Sequence, residues 1–181
     1  MTDQLHFTAS EEANRLIATD PMALLIGFAL DQQVTVQKAF SGPLVLLERV
    51  GSLDPGRLAE ADLESAMSEK PAVHRFPGTM AKRVHDLAVY VCEHYDGDAA
   101  AVWTSAKTSD ELAANIRALP GFGDMKVKSL AATLTKRMNV KLAAPLVPSH
   151  PTLGDVDSAD ALAAYQAAKK AHKAEWMAAN S

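Results

Sequence analysis

Apolar residues recur at helical spacing along nearly the whole chain, and no stretch shows the strict alternation of a strand. Ser10, followed by Glu11 and Glu12, predicts a capped helix to about Ala18, after a leader over residues 1–10 that reads as mobile. Asp20-Pro21 opens the next helix, and Met22 to Leu30 is so uniformly apolar that this helix belongs at the centre of the core. Polarity returns abruptly at Asp31-Gln32-Gln33. A third helix is expected from about Thr35 to Val50, with Pro43 as a possible break. Short helices follow over 55–61 and 63–68, then a loop without periodicity over 71–79. Thr79 is the expected cap of a long helix, Met80 to Tyr95. A short helix over 99–106 has Trp103 facing inward. The next two helices, 109–118 and 126–138, are joined by a short hairpin, with Ser109 or Asp110 as the first N-cap. Beyond Val140 a Pro-rich segment, 144–151, reads as an extended crossing of the surface, before a last helix from 159 to about 178 capped by Asp157 or Ser158.

The fold class expected is therefore all-α. Its domain is 1–140, with 141–181 as a crossing and a C-terminal helix packed on it. At 181 residues and 48% apolar composition, one real core is within reach. No run of 18 uncharged apolar residues is present, and the N-terminus lacks a basic and an apolar region, so a cytoplasmic chain without a membrane partner is expected. One cysteine, Cys92, excludes an internal disulfide and a four-cysteine cluster. His74, His85, His94 and His150 show no metal-ligand spacing and read as surface or loop residues.

Net charge is −4, but it is uneven. Residues 1–66 hold 10 acids against 4 bases, a net of −6, and residues 67–181 hold 12 against 14, a net of +2. The bases thus gather in the half that contains Leu119-Pro120-Gly121-Phe122-Gly123. There Pro120 withholds a donor and ends one helix, while Gly121 and Gly123 permit φ > 0 and close approach of another backbone. A second helix starting at such a hairpin points unpaired N–H groups outward, which suits a phosphate oxygen.

This string, Leu-Pro-Gly-Phe-Gly with Asp124-Met125-Lys126-Val127-Lys128 after it, resembles the helix-hairpin-helix of the endonuclease III-like, or helix-hairpin-helix-Gly-Pro-Asp, superfamily of base-excision DNA glycosylases. Asp31-Gln32-Gln33-Val34-Thr35-Val36 is similar to a second stretch of that superfamily. The two matches keep the family's order, with about 90 residues between them. The resemblance implies two helical halves with double-stranded DNA bound in the cleft between them by a monomer. It implies that Gln33, with Gln32 beside it, fills the space left by a flipped base; neutral amides can do this without an ionic cost. Leu119, Gly121, Phe122 and Gly123 would grip the DNA backbone, aided by Lys82 and Arg83 and by Lys126 and Lys128. A nucleoid-associated place in the cytoplasm follows.

Bifunctional members of the superfamily carry a nucleophilic lysine where this chain has Met125, which is then a pocket residue. Lys126 is one position on, and one helical step turns a side chain by about 100°, so the lyase chemistry is not expected. A monofunctional glycosylase needs one carboxylate to stabilise a cationic sugar and to orient or deprotonate water. The first acids after the hairpin helix are Asp155 and Asp157, 30 and 32 residues beyond Met125. Val156-Asp157-Ser158 is similar to the family's Val-Asp-Thr, with the Pro-rich segment as an insertion. Asp155 is favoured slightly, because Asp157 or Ser158 is needed as a cap. No cofactor is expected: the family's iron–sulfur cluster has no ligands here, although the resemblance allows one monovalent cation at the hairpin carbonyls. Two further readings stay open, a non-catalytic DNA-binding protein that keeps the fold and a helical adaptor that never meets DNA.

Overall fold

The computed structural model describes residues 2–181. Among these the chain is all-helical, with no strand. Its first helices are α1 (Glu11–Thr19), α2 (Pro21–Leu30) and α3 (Val36–Val50). Ser10 caps α1 by accepting the Ala13 N–H, and the Asp20 carboxylate accepts the N–H groups of Met22 and Ala23 to start α2. Every residue of α2 from Met22 to Leu30 is buried, as its unbroken apolar run requires. α2 and α3 interlock through small residues. A Cβ on Gly27 would stand 2.3 Å from the Phe40 ring, and one on Gly42 would stand 2.5 Å from Leu30. The Phe40 ring in turn meets Phe7 and Phe28 edge-on, at centroid distances of 4.9 and 5.1 Å. This packing carries α3 unbroken through Pro43, so the expected break does not occur.

The leader is not loose. Leu5 and Phe7 are fully buried, and the buried Asn14 side chain ties the segment to α1 by accepting the Thr8 N–H at 2.9 Å and donating to the Thr8 carbonyl at 3.1 Å. Short helices α4 (Pro55–Glu60) and α5 (Leu63–Ser68) lie against the long α6 (Pro77–Tyr95). α6 starts at Pro77 rather than at the expected Thr79 cap, because Pro is already set for the first helical position.

α7 (Ala101–Thr104), α8 (Ser109–Arg117) and α9 (Asp124–Met138) complete the body, with Trp103 half-buried against the core. Thr108, not Ser109 or Asp110, caps α8 by accepting the Glu111 N–H at 3.1 Å. The Pro-rich segment is not an extended crossing. Lys141–Leu146 forms a 3-10 turn packed on α8 and α9, and Leu153–Asp155 forms a second one on α9. A Cβ on Gly154 would lie 2.6 Å from the Ala132 backbone, so only glycine fits there. α10 (Ala159–Ala179), capped by Ser158, buries only Leu162. Its Gln166 side chain exchanges two hydrogen bonds with that of Gln37 on α3, at 3.0 and 2.7 Å. At the other end of the chain, the Thr2 N–H reaches the Arg137 carbonyl of α9 at 3.4 Å. A single apolar core runs from Leu5 to Leu162.

Candidate nucleic-acid interface

The loop between α8 and α9 is held from below. Leu119 and Phe122 are buried, and the Phe122 N–H donates to the Leu119 carbonyl at 3.0 Å. These two expected DNA contacts can therefore offer a ligand only their backbone, since their side chains anchor the loop to the core. Gly121 has φ +82, a conformation that costs a side-chain-bearing residue dearly. Gly123 differs from the expectation. Its backbone is extended and nothing lies within 4 Å of where its Cβ would be. As the N-cap of α9 it has no side chain to bond the first-turn N–H groups, which are left to solvent or to an anion. Asp124 stands at the same helix end, and Arg117 pairs with it at 2.8 Å.

Arg83, on α6, joins this loop to the glutamine turn. A Cβ on Gly121 would stand 2.7 Å from Arg83 Cδ and Nε, so the arginine lies directly on the glycine. Its Nη1 donates to Gln32 Oε1. Lys82, beside it, faces solvent and pairs with Asp86 at 2.6 Å, while Lys128 is exposed on α9. The turn itself is tight. Asp31 has φ −75 and ψ 69, and the Gln32 N–H donates back to the Leu30 carbonyl at 2.7 Å, so an inverse γ-turn centres on Asp31. Gln33 follows in the left-handed region at φ 58, with its side chain exposed.

His74 secures that turn. It lies in a loop, one of the two expected settings, but is buried there and is not a surface residue. Its Nε2 lies 3.0 Å from the carbonyls of both Leu30 and Gln32, and its Nδ1 accepts the Phe76 N–H at 3.0 Å. Those partners select the neutral tautomer with its proton on Nε2. Burial lowers the His74 pKa, with Lys38 and Arg83 adding to the effect against the two carbonyls that oppose it.

Between the turn and α9 lies an unusual group of charges. Lys126 does not face away. It enters the junction, with Nζ 3.3 Å from the Ala29 carbonyl and 5.4 Å from the Phe122 ring centroid. Met125 takes the outward direction and is 75% exposed, so it lines no pocket. Burial lowers the Lys126 pKa from 10.5 to about 8, helped by Arg83 and opposed by Asp31. Burial likewise raises the Asp31 carboxyl, against the pull of Lys169 and Lys126. Among the described residues no group hydrogen-bonds or ion-pairs with the Asp31 carboxylate. From α10, Tyr165 borders the same space, its phenol pushed up by burial and by the carboxylates of Asp31 and Asp155.

A lysine with a lowered folded-state pKa holds fewer protons folded than unfolded between pH 8 and 10.5, so it burdens stability below pH 8 and ceases to as pH rises past 10.5. Lys126→Met is therefore expected to be more stable than wild type at neutral pH by about 1 kcal/mol after solvent screening. Urea unfolding at about pH 7 and pH 10 should show that gap shrinking at the higher pH. A pH-independent gap would mean that Lys126 is not desolvated.

The two expected catalytic carboxylates lie elsewhere. Asp155 Oδ1 pairs with Lys136, and its Oδ2 accepts the Thr152 N–H at 2.8 Å in a capping box. Burial raises its pKa, but the Lys136 ammonium and the Thr152 donors outweigh this and hold it low. Lys136 is ten residues beyond Lys126 on one helix, about 15 Å along its axis. The order of preference also reverses. Ser158 caps α10 and Asp155 caps the 3-10 turn, which leaves exposed Asp157 with no bonded partner among the described residues. Thus Gln32, Gln33, Arg83, Gly121 and Lys126 come together, and Asp155, Asp157 and Met125 do not join them. Sequence reading missed Asp31 and His74. The only signal for Asp31 was a charge placed directly after a wholly apolar helix.

Among the described residues no group of three or more His, Cys, Asp or Glu side chains is placed to hold a metal ion, and no single helix is long and apolar enough to cross a membrane. Of the hairpin carbonyls, that of Leu119 accepts the Phe122 N–H and that of Gly123 accepts the Val127 N–H, each at 3.0 Å. No known protein family, curated protein or solved structure matches this chain.

Proposed function

We propose that this chain is a DNA glycosylase-like protein of base-excision repair that hydrolyses the N-glycosidic bond of a damaged or modified base. The observation that carries the reading is Arg83. Its side chain lies on Gly121 and donates to Gln32, so it physically joins two motifs about 90 residues apart in the chain. Duplex DNA would lie in a cleft between two helical halves, on the face that bears them. The open N–H groups at the start of α9 would receive a backbone phosphate, and exposed Gln33 would enter the stack beside a flipped base. Such a protein would act at the nucleoid, as a monomer.

Binding to duplex should weaken steeply with salt, at about 0.9 in log K per log salt for each phosphate neutralised. Release of a free base is read by alkaline cleavage of abasic sites, over oligonucleotides with deaminated, alkylated or oxidised bases. Absence of duplex binding at low salt would sink the reading. A second reading, a non-catalytic DNA-binding protein with the same fold, is favoured by the full occupation of Asp155 by Lys136 and Thr152. It predicts the same salt dependence and no base release.

A further inference from the structure

We propose that Asp31 is the catalytic carboxylate of this site, in place of either acid beyond the hairpin helix. The proposal rests on the glycosylase reading. Three observations converge on it. Asp31 lies between Gln32 and Gln33, which would meet the flipped nucleotide, and Lys126 at the base of the hairpin helix. Its carboxylate is partly buried yet has no hydrogen-bond or ion-pair partner among the described residues. A half-buried carboxylate that no protein group has bonded keeps its acceptor oxygens open to a proton or a cationic ligand. Finally its backbone is fixed on both sides, because His74 Nε2 bridges the carbonyls of Leu30 and Gln32 at 3.0 Å. The backbone that carries the carboxylate is thus set before any ligand arrives.

Asp155 lacks this availability, since each of its oxygens is already committed. Around Asp31 the charged and titratable groups are Lys126 from α9 and Lys169 and Tyr165 from α10, with Arg83 of α6 acting on Lys126. Burial raises the Asp31 carboxyl, and Lys169 and Lys126 oppose that shift by favouring its ionised form. In the reaction, the bond from C1′ to the base nitrogen breaks and its electron pair leaves with the base. Positive charge develops on the sugar opposite the Asp31 carboxylate. Water adds to C1′, its proton passes to Asp31, and from there it goes to the departing base. One water is consumed, and a free base and an abasic sugar result.

The test is base release and duplex affinity measured side by side for wild type, Asp31→Asn and Asp31→Ser. Both variants should lose at least a hundredfold in single-turnover release rate while the Kd for duplex changes less than threefold. Asn keeps the shape and removes the charge, and Ser serves if Asn alters the turn. Either variant releasing base at the wild-type rate would overturn the proposal. So would release that survives Asp31→Asn but is lost in Asp155→Asn or Asp157→Asn. Wild-type chain that binds duplex and frees no base from the panel would overturn Asp31's role and leave DNA binding standing. Wild-type chain that binds no duplex would overturn the reading beneath it as well.

Discussion

Gly154→Ala is expected to cost about 3 kcal/mol of stability, near the upper end of what overpacking a well-filled site brings. The added methyl would meet the carbonyl carbon and oxygen of Ala132 at 2.6 Å and the Ala132 Cβ at 2.9 Å. Backbone in the middle of α9 cannot rotate aside as a side-chain tip could, so the 3-10 turn must lift off. With it go the contact of the Gly154 carbonyl with Arg137 Nε at 3.0 Å and the burial of Leu153 and Val156. For a chain of this length that loss lowers the midpoint of thermal unfolding by about 6–12 °C. Gly78→Ala is the control, since nothing lies within 4 Å of its Cβ and it sits in the first turn of α6. It should be neutral or stabilising by less than about 1 kcal/mol. A Gly154 variant that melts with wild type would show that α9 and the turn can separate freely.

On the proposed DNA-binding reading, Gly121→Val is expected to weaken duplex binding by tenfold or more while leaving most of the helical content intact. Two effects act together. A branched side chain at φ +82 is strained by about 1–2 kcal/mol, and any Cβ drives Arg83 from its place. Arg83→Ala should reproduce the functional half of this defect without the backbone strain, and should lower the salt slope by about 0.9 if the guanidinium meets a phosphate. Arg83→Lys should not restore binding, because an ammonium lacks the fork that can lie on Gly121 and donate to Gln32 at once. Since both residues act through one contact, the double variant should fall well short of the product of the two single losses. Independent, multiplying losses would mean that the arginine and the glycine serve separate ends. Fluorescence anisotropy with a labelled duplex reads all four proteins.

What could be read in the chain was whatever depends on local spacing. α1 through α3, α8 and α10 follow from apolar periodicity and caps, and the hairpin follows from two glycines after a proline. The leader's order is not legible because Leu5 and Phe7 are too few to show a period, and the contact that seats Phe7 is with Phe40 on α3, far along the chain. Pro43 and the 3-10 turns depart from local expectation for a related reason, since packing overrides the backbone preference of proline and of short Pro-rich segments. At the site, Gln32, Gln33 and Gly121 carry recognisable strings, but their meeting depends on Arg83, whose bridging no local pattern encodes. Helical rotation counted from Met125 turns Lys126 to a different direction and leaves it a DNA contact, but its entry into the junction is set by where α2 ends. Asp155 and Asp157 were ranked by capping need, and the caps fell the other way.

The amide pair between Gln37 and Gln166 and the contact of Thr2 with Arg137 have a consequence for how the molecule can be divided. The last helix is fastened to an early one, and the first residues are fastened to the end of α9, so the chain is laced across itself twice. Neither the glutamine-bearing part nor the hairpin-bearing part is a transplantable module. Excised alone, each would leave open the seam that the other's stretch of chain now closes.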